Sequence, residues 1–292
     1  MMGVQLQEIR VKDFDIRHTF ESAQPLTFYA DYDYADSVLT YPSGTGMITA
    51  LFRGNSADCR IAVHNNSVVN AKEEITSRFR LRDDMKRVYR RIGTDRFVRA
   101  AIKEYRGLRL TLNDPWETTL CFIVSQLNNV KRITMIVHNI INAFGNPIID
   151  DTGVMAGRGF PKCEDMVNAT EKKLMACGAG FRAKYLVHAA EYCTNNLDLN
   201  KLRGKSYSKI KEQLMEMPGV GDKVADCIAL MGYGKLEAFP IDVWVKRTIE
   251  KQYFNGKKKR IEELHEFAEG RFGALAGYAE QYIYWYGRQV RP

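Results

Sequence analysis

The chain has 292 residues, 45% of them hydrophobic and 27% charged, with a formal net charge of +8. That length and balance describe a globular protein able to bury a sizeable core in one large unit or two to three packed ones, and exclude a fibrous or disordered chain. No run of 18 apolar residues occurs, which excludes a helical membrane span, and the positive balance favours an anionic partner, most simply nucleic acid, although a basic enzyme without one would carry the same signature.

Met1 to Arg10 lack the apolar core of a signal peptide, so a cytoplasmic protein is expected, nucleoid-associated in a bacterium or nuclear in a eukaryote. Cys59, Cys121, Cys163, Cys177, Cys193 and Cys227 are scattered with no C-x-x-C, which suits reduced thiols. Residues 1 to about 75 read as β-rich. The runs 14–20, 26–32, 46–53 and 59–64 are rich in β-branched and aromatic residues and are separated by Gly-, Pro- and Ser-bearing turns, so an antiparallel sheet is expected.

From about residue 72 the period becomes helical. Polar helices are expected over 72–79 and 84–91, and a third over 95–105 with Phe97, Ala101 and Tyr105 on one face. Asp114 caps a long helix that opens on Pro115. Asn128 and Asn129 interrupt it before Arg132 begins the next helix, which ends at Gly145. Residues 150–162 read as a Gly-rich loop, 163–177 as a helix, 181–194 as another and 197–203 as a short one. Ser206 starts a helix with Tyr207, Ile210, Leu214 and Met217 on one face; after Asp242, helices are expected over 243–254 and 260–290, with Lys257 to Arg260 as a solvated charge run between them.

The chain is organised around Met215 to Asp242. Met217 to Gly221 (MPGVG) joins two helical patterns through a turn that requires unusual backbone angles at Gly219 and Gly221. The turn's amides, with the free N–H groups of the following helix up to Val224, point one way, and the helix dipole there favours a phosphate oxygen. Such a contact fixes register on a nucleic-acid backbone without reading bases. An ordinary αα-corner needs similar glycines, so the whole string carries the assignment, not the Gly-x-Gly alone.

Lys223 lies in the first turn of that second helix, where a cation opposes the dipole. That position favours the neutral amine and lowers the expected pKa towards nucleophilic competence. Cys227 shares its face, while Val224, Ile228 and Met231 form a neighbouring apolar face that reads as core. Asp242 follows Pro240 and precedes a helical pattern, so it is an N-cap. A carboxylate held there beside an amine can stabilise an oxocarbenium ion or take part in the amine's proton transfers.

With these residues in hand, the run 218–231 followed by Pro240, Ile241 and Asp242 resembles the helix-hairpin-helix DNA glycosylases, and among them the 8-oxoguanine DNA glycosylase/AP lyases, with a weaker resemblance over most of the chain. The resemblance implies an α+β fold. An N-terminal antiparallel β domain with trailing helices (1–106) would pack on a two-part helical glycosylase body (107–292) with the hairpin at 206–232. It implies a base-excision-repair enzyme that acts as a monomer on double-stranded DNA with the damaged base flipped out. Lys223 would attack C1′, expel the base and form a Schiff base that nicks the strand by β-elimination, with Asp242 as the catalytic carboxylate. Ala23, Phe122, Cys227, Met231, Trp244, Glu280 and Tyr284 would line the base pocket. Leu127, Asn128, Asn129, Arg132, Phe181 and Arg182 would fill the vacated duplex, with Arg132 and Arg182 facing cytosine or phosphate. Gly219, Gly221 and Val224 would hold the DNA backbone. No cofactor is required by the resemblance. No cysteine follows Cys227, so the iron–sulfur branches are disfavoured, and a monovalent cation at the hairpin backbone is the only ion implied.

Four departures concern the substrate, one of them Tyr284, which stands where the family usually has phenylalanine. Ala23 stands where the family has the glycine whose carbonyl reads 8-oxoguanine. Leu127 stands where an asparagine is usual and suggests a hydrophobic wedge. Glu280 replaces a glutamine, and a carboxylate accepts but cannot donate. Two alternatives follow: the same chemistry on another modified purine or an abasic site, and a non-catalytic DNA-binding protein that uses the hairpin alone.

Overall fold

The computed structural model describes residues 7–44, 46–66, 70–150 and 152–290, with the side chains of 64–66 excepted. The first unit is a five-stranded antiparallel sheet. Its strands are β1 (Gln7–Val11), β2 (Asp31–Asp33), β3 (Val38–Ser43), β4 (Gly46–Asn55) and β5 (Asp58–Asn66), in the order β1-β5-β4-β3-β2. Alternation fixes its register. Ile48, Ala50 and Phe52 of β4 are buried, as are Ile61 and Val63 of β5, so a one-residue slip would turn the apolar set to solvent. Phe14, Phe52 and Phe79 pack ring against ring beneath it, with centroids 5.4 to 6.1 Å apart.

Two of the four expected strands are different. Residues 14–20 contribute to helix α1 (Ile16–Glu21), because the Asp15 carboxylate accepts from the His18 amide at 2.9 Å and Ile16 and Thr19 point inward together. Residues 26–32 open as a 3₁₀ turn, Pro25–Phe28, and only Asp31–Asp33 pairs as strand. Pro25 sets that turn's first position, which alternation of apolar residues does not reveal.

The helices α2 (Ala71–Arg78), α3 (Met85–Ile92) and α4 (Arg96–Glu104) follow as expected, the latter two capped by Asp84 and Asp95. Next come α5 (Pro115–Ser125), capped by Asp114, and α6 (Val130–Phe144), capped by Asn129. Residues 147–158 are not simple loop: β6 (Pro147–Ile149) pairs with β7 (Met155–Arg158), their turn held by Asp150, whose carboxylate accepts from the Thr152 and Val154 amides at 2.9 Å each. The single helix expected over 163–177 is two, α7 (Cys163–Met166) and α8 (Glu171–Ala176), because Thr170 caps a fresh start. Then come α9 (Ala183–Asn195), α10 (Tyr207–Met215), α11 (Asp222–Tyr233) and α12 (Val243–Tyr253). The long final helix is divided into α13 (Ile261–Phe272) and α14 (Ala276–Gln289) at Gly273, whose φ of +55° and ψ of −133° end α13.

The last helix packs back on earlier ones. Helix α14 packs on α3, α4 and α12, and the hydroxyl of its Tyr278 donates to Asp83 at 2.7 Å. Fully buried Arg109, where the chain leaves the first unit, donates to the carbonyls of Asp13, Lys12 and Arg80 at 2.7 to 3.0 Å. All six cysteines are free. Among the described residues no helix is long and apolar enough to cross a membrane.

Candidate active site

The hairpin sits at the centre of the helical body. Helix α11 is buried along most of its length and packs on α5 and α10. Gly219 has φ +88°, and a Cβ there would lie 2.6 Å from that of Tyr185, so both conformation and space require glycine. Gly221 corrects the expectation of unusual angles: at φ −94°, ψ −177° it is extended backbone open to any residue. A Cβ on it would meet nothing within 4 Å. It is the N-cap of α11 and supplies no side-chain bond, so the first-turn amides face outward uncapped. The Val224 side chain is buried in the core, which leaves only its amide for an external ligand.

At the other helix start, Asp242 caps α12 by accepting from the Val245 amide at 2.7 Å. Lys223 and Asp242 open into one cavity of about 340 Å³. Its wall contains every residue expected of the base pocket: Ala23, Phe122, Cys227, Met231, Trp244, Glu280 and Tyr284, with Asn128 and Asn129 at the edge. The Lys223 ammonium lies 4.8 Å from the centre of the Phe122 ring, a cation–π contact.

The expected depression of the Lys223 pKa is not what the site produces. Burial pushes it down, but the Cys227 sulfur one turn on and the Asp242 carboxylate pull it up, and the net direction is upward. The dipole at an exposed helix end amounts to about 0.3–1 kcal/mol, which a neighbouring carboxylate in a closed cavity exceeds. Lys223 is therefore an ammonium in the free protein and becomes a nucleophile only by giving up a proton. Burial likewise pushes the Cys227 thiol up to about 12, so it stays neutral.

Glu280 is also corrected. It is buried in the cavity wall. Burial first, and then the Asp242 charge, raise its pKa well above the usual carboxylate range. The favoured form is the neutral acid, which has one O–H to donate and one oxygen to accept, much as a glutamine amide does.

The turn that carries Ala23 is clamped. The Gln24 side chain donates to Arg109 O at 2.9 Å and Ser22 Oγ at 3.0 Å, and accepts from the Thr111 amide at 2.7 Å. Gln281 of α14 donates to Ser22 O at 2.8 Å. Ala23 itself is left-handed, φ +59°. The backbone there keeps a conformation that suits glycine while bearing a methyl.

Leu127 is 92% exposed and also left-handed, φ +48°. It is held out by Arg182, which corrects the role expected for that arginine. Arg182 is buried and donates to Leu127 O at 3.0 Å, to Ala179 O at 3.3 Å and to Gln126 O through two nitrogens. Most of its N–H donors are thus taken by the chain itself, and the guanidinium shapes the loop before α6. Phe181, half exposed, covers it with a ring 4.4 Å away. Arg132 is exposed. Asn128 donates to Val124 O at 3.0 Å and Asn129 caps α6, so both amides also shape the loop.

Two contributors are absent from the residues expected. Arg288 lines the cavity and donates to the Tyr284 hydroxyl at 2.7 Å. The spacing 280, 284, 288 on one helix face is the signal that could have found it. Gln126 donates to Gly219 O at 2.9 Å and ties the loop before α6 to the hairpin turn.

Residues 120–272 match the family described as the HhH-GPD superfamily base excision DNA repair proteins. The chain is 31% identical over 236 residues to a probable N-glycosylase/DNA lyase of Methanothermobacter thermautotrophicus, covering 75% of each. Its fold superposes on a structure of MBOgg1 in complex with a low-affinity DNA ligand with a TM-score of 0.88, 31% identity and full coverage of both chains. The apo 8-oxoguanine glycosylase/lyase of Clostridium acetobutylicum gives a TM-score of 0.83 at 25% identity, covering 97% of this chain and 98% of that one.

Proposed function

The chain belongs to the HhH-GPD superfamily of base excision DNA repair proteins, and on that premise we propose that it is a bifunctional DNA N-glycosylase and AP lyase that removes an oxidised purine, 8-oxoguanine first, from duplex DNA. One observation carries the reading: an amine at the start of one helix and a carboxylate at the start of the next open into a single cavity walled by apolar, aromatic and thiol groups.

The chemistry follows from those groups. The flipped purine enters the cavity and displaces water, and the Lys223 ammonium passes its proton to the departing base. The Lys223 amine then bonds to C1′ as the bond from C1′ to the base nitrogen breaks, and the base leaves with a proton. Asp242 stabilises the positive charge that develops on the sugar. The sugar ring opens to the Schiff base, a proton is lost from C2′, and the 3′ phosphate departs with the C3′–O electrons. Water finally releases the lysine. The uncapped α11 amides at Gly221 to Val224 suit the DNA phosphate, and the exposed Leu127 suits the gap left by the flipped nucleotide. Exposed Arg132 remains a candidate for phosphate or the partner base, and the protein acts as a monomer.

In the same reading, residues 1–106 form a sheet unit that lends the Ser22–Ala23 turn to a helical body of 107–292. A monovalent cation at the hairpin would share the Met217 and Gly219 carbonyls, which already accept from the Val220 amide and Gln126.

Borohydride added to the protein with an 8-oxoguanine duplex is expected to trap a covalent adduct, lost by at least about 10³-fold in Lys223→Gln, since the nucleophile itself is removed. An adduct that survives the substitution would overturn the assignment. A second reading, another modified purine or an abasic site, is favoured by the methyl of Ala23 and the leucine at 127. Excision measured on a panel of lesions separates the two, and a clear preference for 8-oxoguanine opposite cytosine rejects the second.

A further inference from the structure

Next to the hairpin, on the face of α11 adjoining the one that carries Lys223 and Cys227, three side chains converge that the glycosylase chemistry does not use. Asp222 and Asp226 lie one turn apart on α11, and His265 reaches them from α13. Their ligand atoms all lie within 4.8 Å of one another.

The two oxygens of each carboxylate have separate partners. The Oδ1 atoms are taken by Lys211 of α10, whose ammonium is 2.7 Å from Asp222 and 2.9 Å from Asp226, and Tyr207 also donates to Asp226 Oδ1 at 2.5 Å. The Oδ2 atoms face His265, with Nε2 3.3 Å from Asp222 and 3.6 Å from Asp226. Asp226 is fully buried, and its Oδ2 has no hydrogen-bond partner. A buried carboxylate oxygen left this way is costly unless a cation or donor meets it.

We propose that Asp222 Oδ2, Asp226 Oδ2 and His265 Nε2 form a three-ligand site for a divalent first-row metal ion, zinc above all, that pins α13 to the start of α11. The spacing fits. Ligand bonds of about 2.0–2.1 Å in a tetrahedron put donor atoms roughly 3.4 Å apart, close to the 3.3 and 3.6 Å between His265 Nε2 and the two carboxylate oxygens, and all three donors lie within 4.8 Å. The donor set fits as well, since two carboxylates and an imidazole suit zinc better than magnesium, which keeps several waters and an octahedral shell. Charge is also favourable, because two carboxylates outweigh the single Lys211 ammonium. Asp222 and His265 are only half-buried, which leaves a route for the ion and room for water or another oxygen as the fourth ligand. Helix α11 carries Lys223 in its first turn, so an ion here would stiffen the segment that presents the nucleophile. The competing arrangement is a protonated His265 bridging both carboxylates, which needs no metal.

Full-length, untagged protein stripped with a chelator should bind one Zn²⁺ per chain in competition with a chromophoric chelator, release protons as it does so, and melt at a higher temperature with Zn²⁺ than without. Mg²⁺ should do neither. His265→Gln and Asp222→Asn, both at half-buried positions, should each weaken Zn²⁺ binding by at least about tenfold while the metal-free protein still melts cooperatively. Zn²⁺ binding that His265→Gln leaves unchanged places the ion elsewhere, on the thiols for example, and overturns the proposal. So does a protein that Zn²⁺ does not stabilise while His265→Gln lowers its melting temperature in acid, since that is the behaviour of the imidazolium bridge. Equal binding of Mg²⁺ overturns the assignment to a zinc-type site.

Discussion

Two helix starts face the same cavity and are built in opposite ways. Helix α11 begins at Gly221 with no side-chain cap and carries a lysine in its first turn. Helix α12 begins at Asp242, which satisfies its amide at Val245. The first has unsatisfied N–H groups and room above them, since nothing lies within 4 Å of the space a Gly221 side chain would fill. The second is closed and holds its carboxylate rigid. An open helix start suits an external anion, and a closed one suits a fixed group that must not wander from the reacting carbon. The reaction proposed here needs both within one cavity.

The largest way to break that comparison is at Asp242. Asparagine caps a helix about as well as aspartate does, so Asp242→Asn should keep the melting temperature and remove the charge. Base excision in a single-turnover assay should fall by about 10²–10³-fold, the usual scale for losing one transition-state electrostatic contact. Asp242→Ala should lose activity to a similar degree and in addition about 1 kcal/mol of stability with the cap. A protein that only binds DNA would show no excision in the parent and only the stability change in Asp242→Ala, whereas an unaltered excision rate in Asp242→Asn would take the carboxylate out of the chemistry.

The two hairpin glycines make a second contrast. Gly219→Ala places a methyl 2.6 Å from Tyr185 Cβ at φ +88° and should cost roughly 2–4 kcal/mol in a denaturation experiment. Gly221→Ala meets no atom and no unfavourable angle, and should leave stability within about 0.5 kcal/mol. If the α11 amides hold phosphate, however, its methyl stands in the way, and duplex affinity should drop. Equal destabilisation by both would show that the turn is a packing corner and nothing more.

Much of this is legible in the sequence. The hairpin and the caps at Asp114 and Asp242 are local signals, while the seven pocket residues come only through the resemblance to the family, and the cavity contains all seven. Expectations fail where the answer lies in partners distant along the chain. Arg182 reads as a surface cation, but it folds back onto carbonyls some 55 residues away. The helix dipole alone points the Lys223 pKa downward, whereas the groups that raise it are the Cys227 sulfur and then the Asp242 carboxylate, which lies on another helix. Glu280 reads as a charged acceptor until its burial is seen. Residues 14–20 read as strand because their aromatic and β-branched content outweighs the cap at Asp15.

A smaller effect tests the clamp around the pocket floor. Ala23 is left-handed, which costs an alanine about 1–2 kcal/mol relative to glycine. Part of that is returned to Ala23→Gly through its looser unfolded chain, so the variant should gain about 0.5–1 kcal/mol in equilibrium unfolding. The Gln24 and Gln281 bonds fix the turn from both sides, so its carbonyl should keep its place. If the methyl is what shifts the protein away from 8-oxoguanine, the same variant should also gain relative excision of that lesion over other purines.

The smallest expected change is at Glu280, and its sign can be worked out. Burial and Asp242 raise its pKa in the folded protein above that in the unfolded chain. A group of this kind adds its full stability below the unfolded pKa of about 4.3, and that contribution is lost as pH rises towards the folded value. A glutamine in its place would carry no such dependence. Glu280→Gln should therefore melt with the parent protein near pH 4.5 and above it by a margin that widens as pH increases. Because the neutral acid already presents one donor and one acceptor to the pocket, the substitution should leave lesion preference nearly unchanged at neutral pH. A margin that stays flat across pH 4.5 to 8 would mean that the acid ionises normally in the fold. The open start of α11 and the closed start of α12 would then share their cavity with a second negative charge, and Lys223 would be held still more firmly as an ammonium.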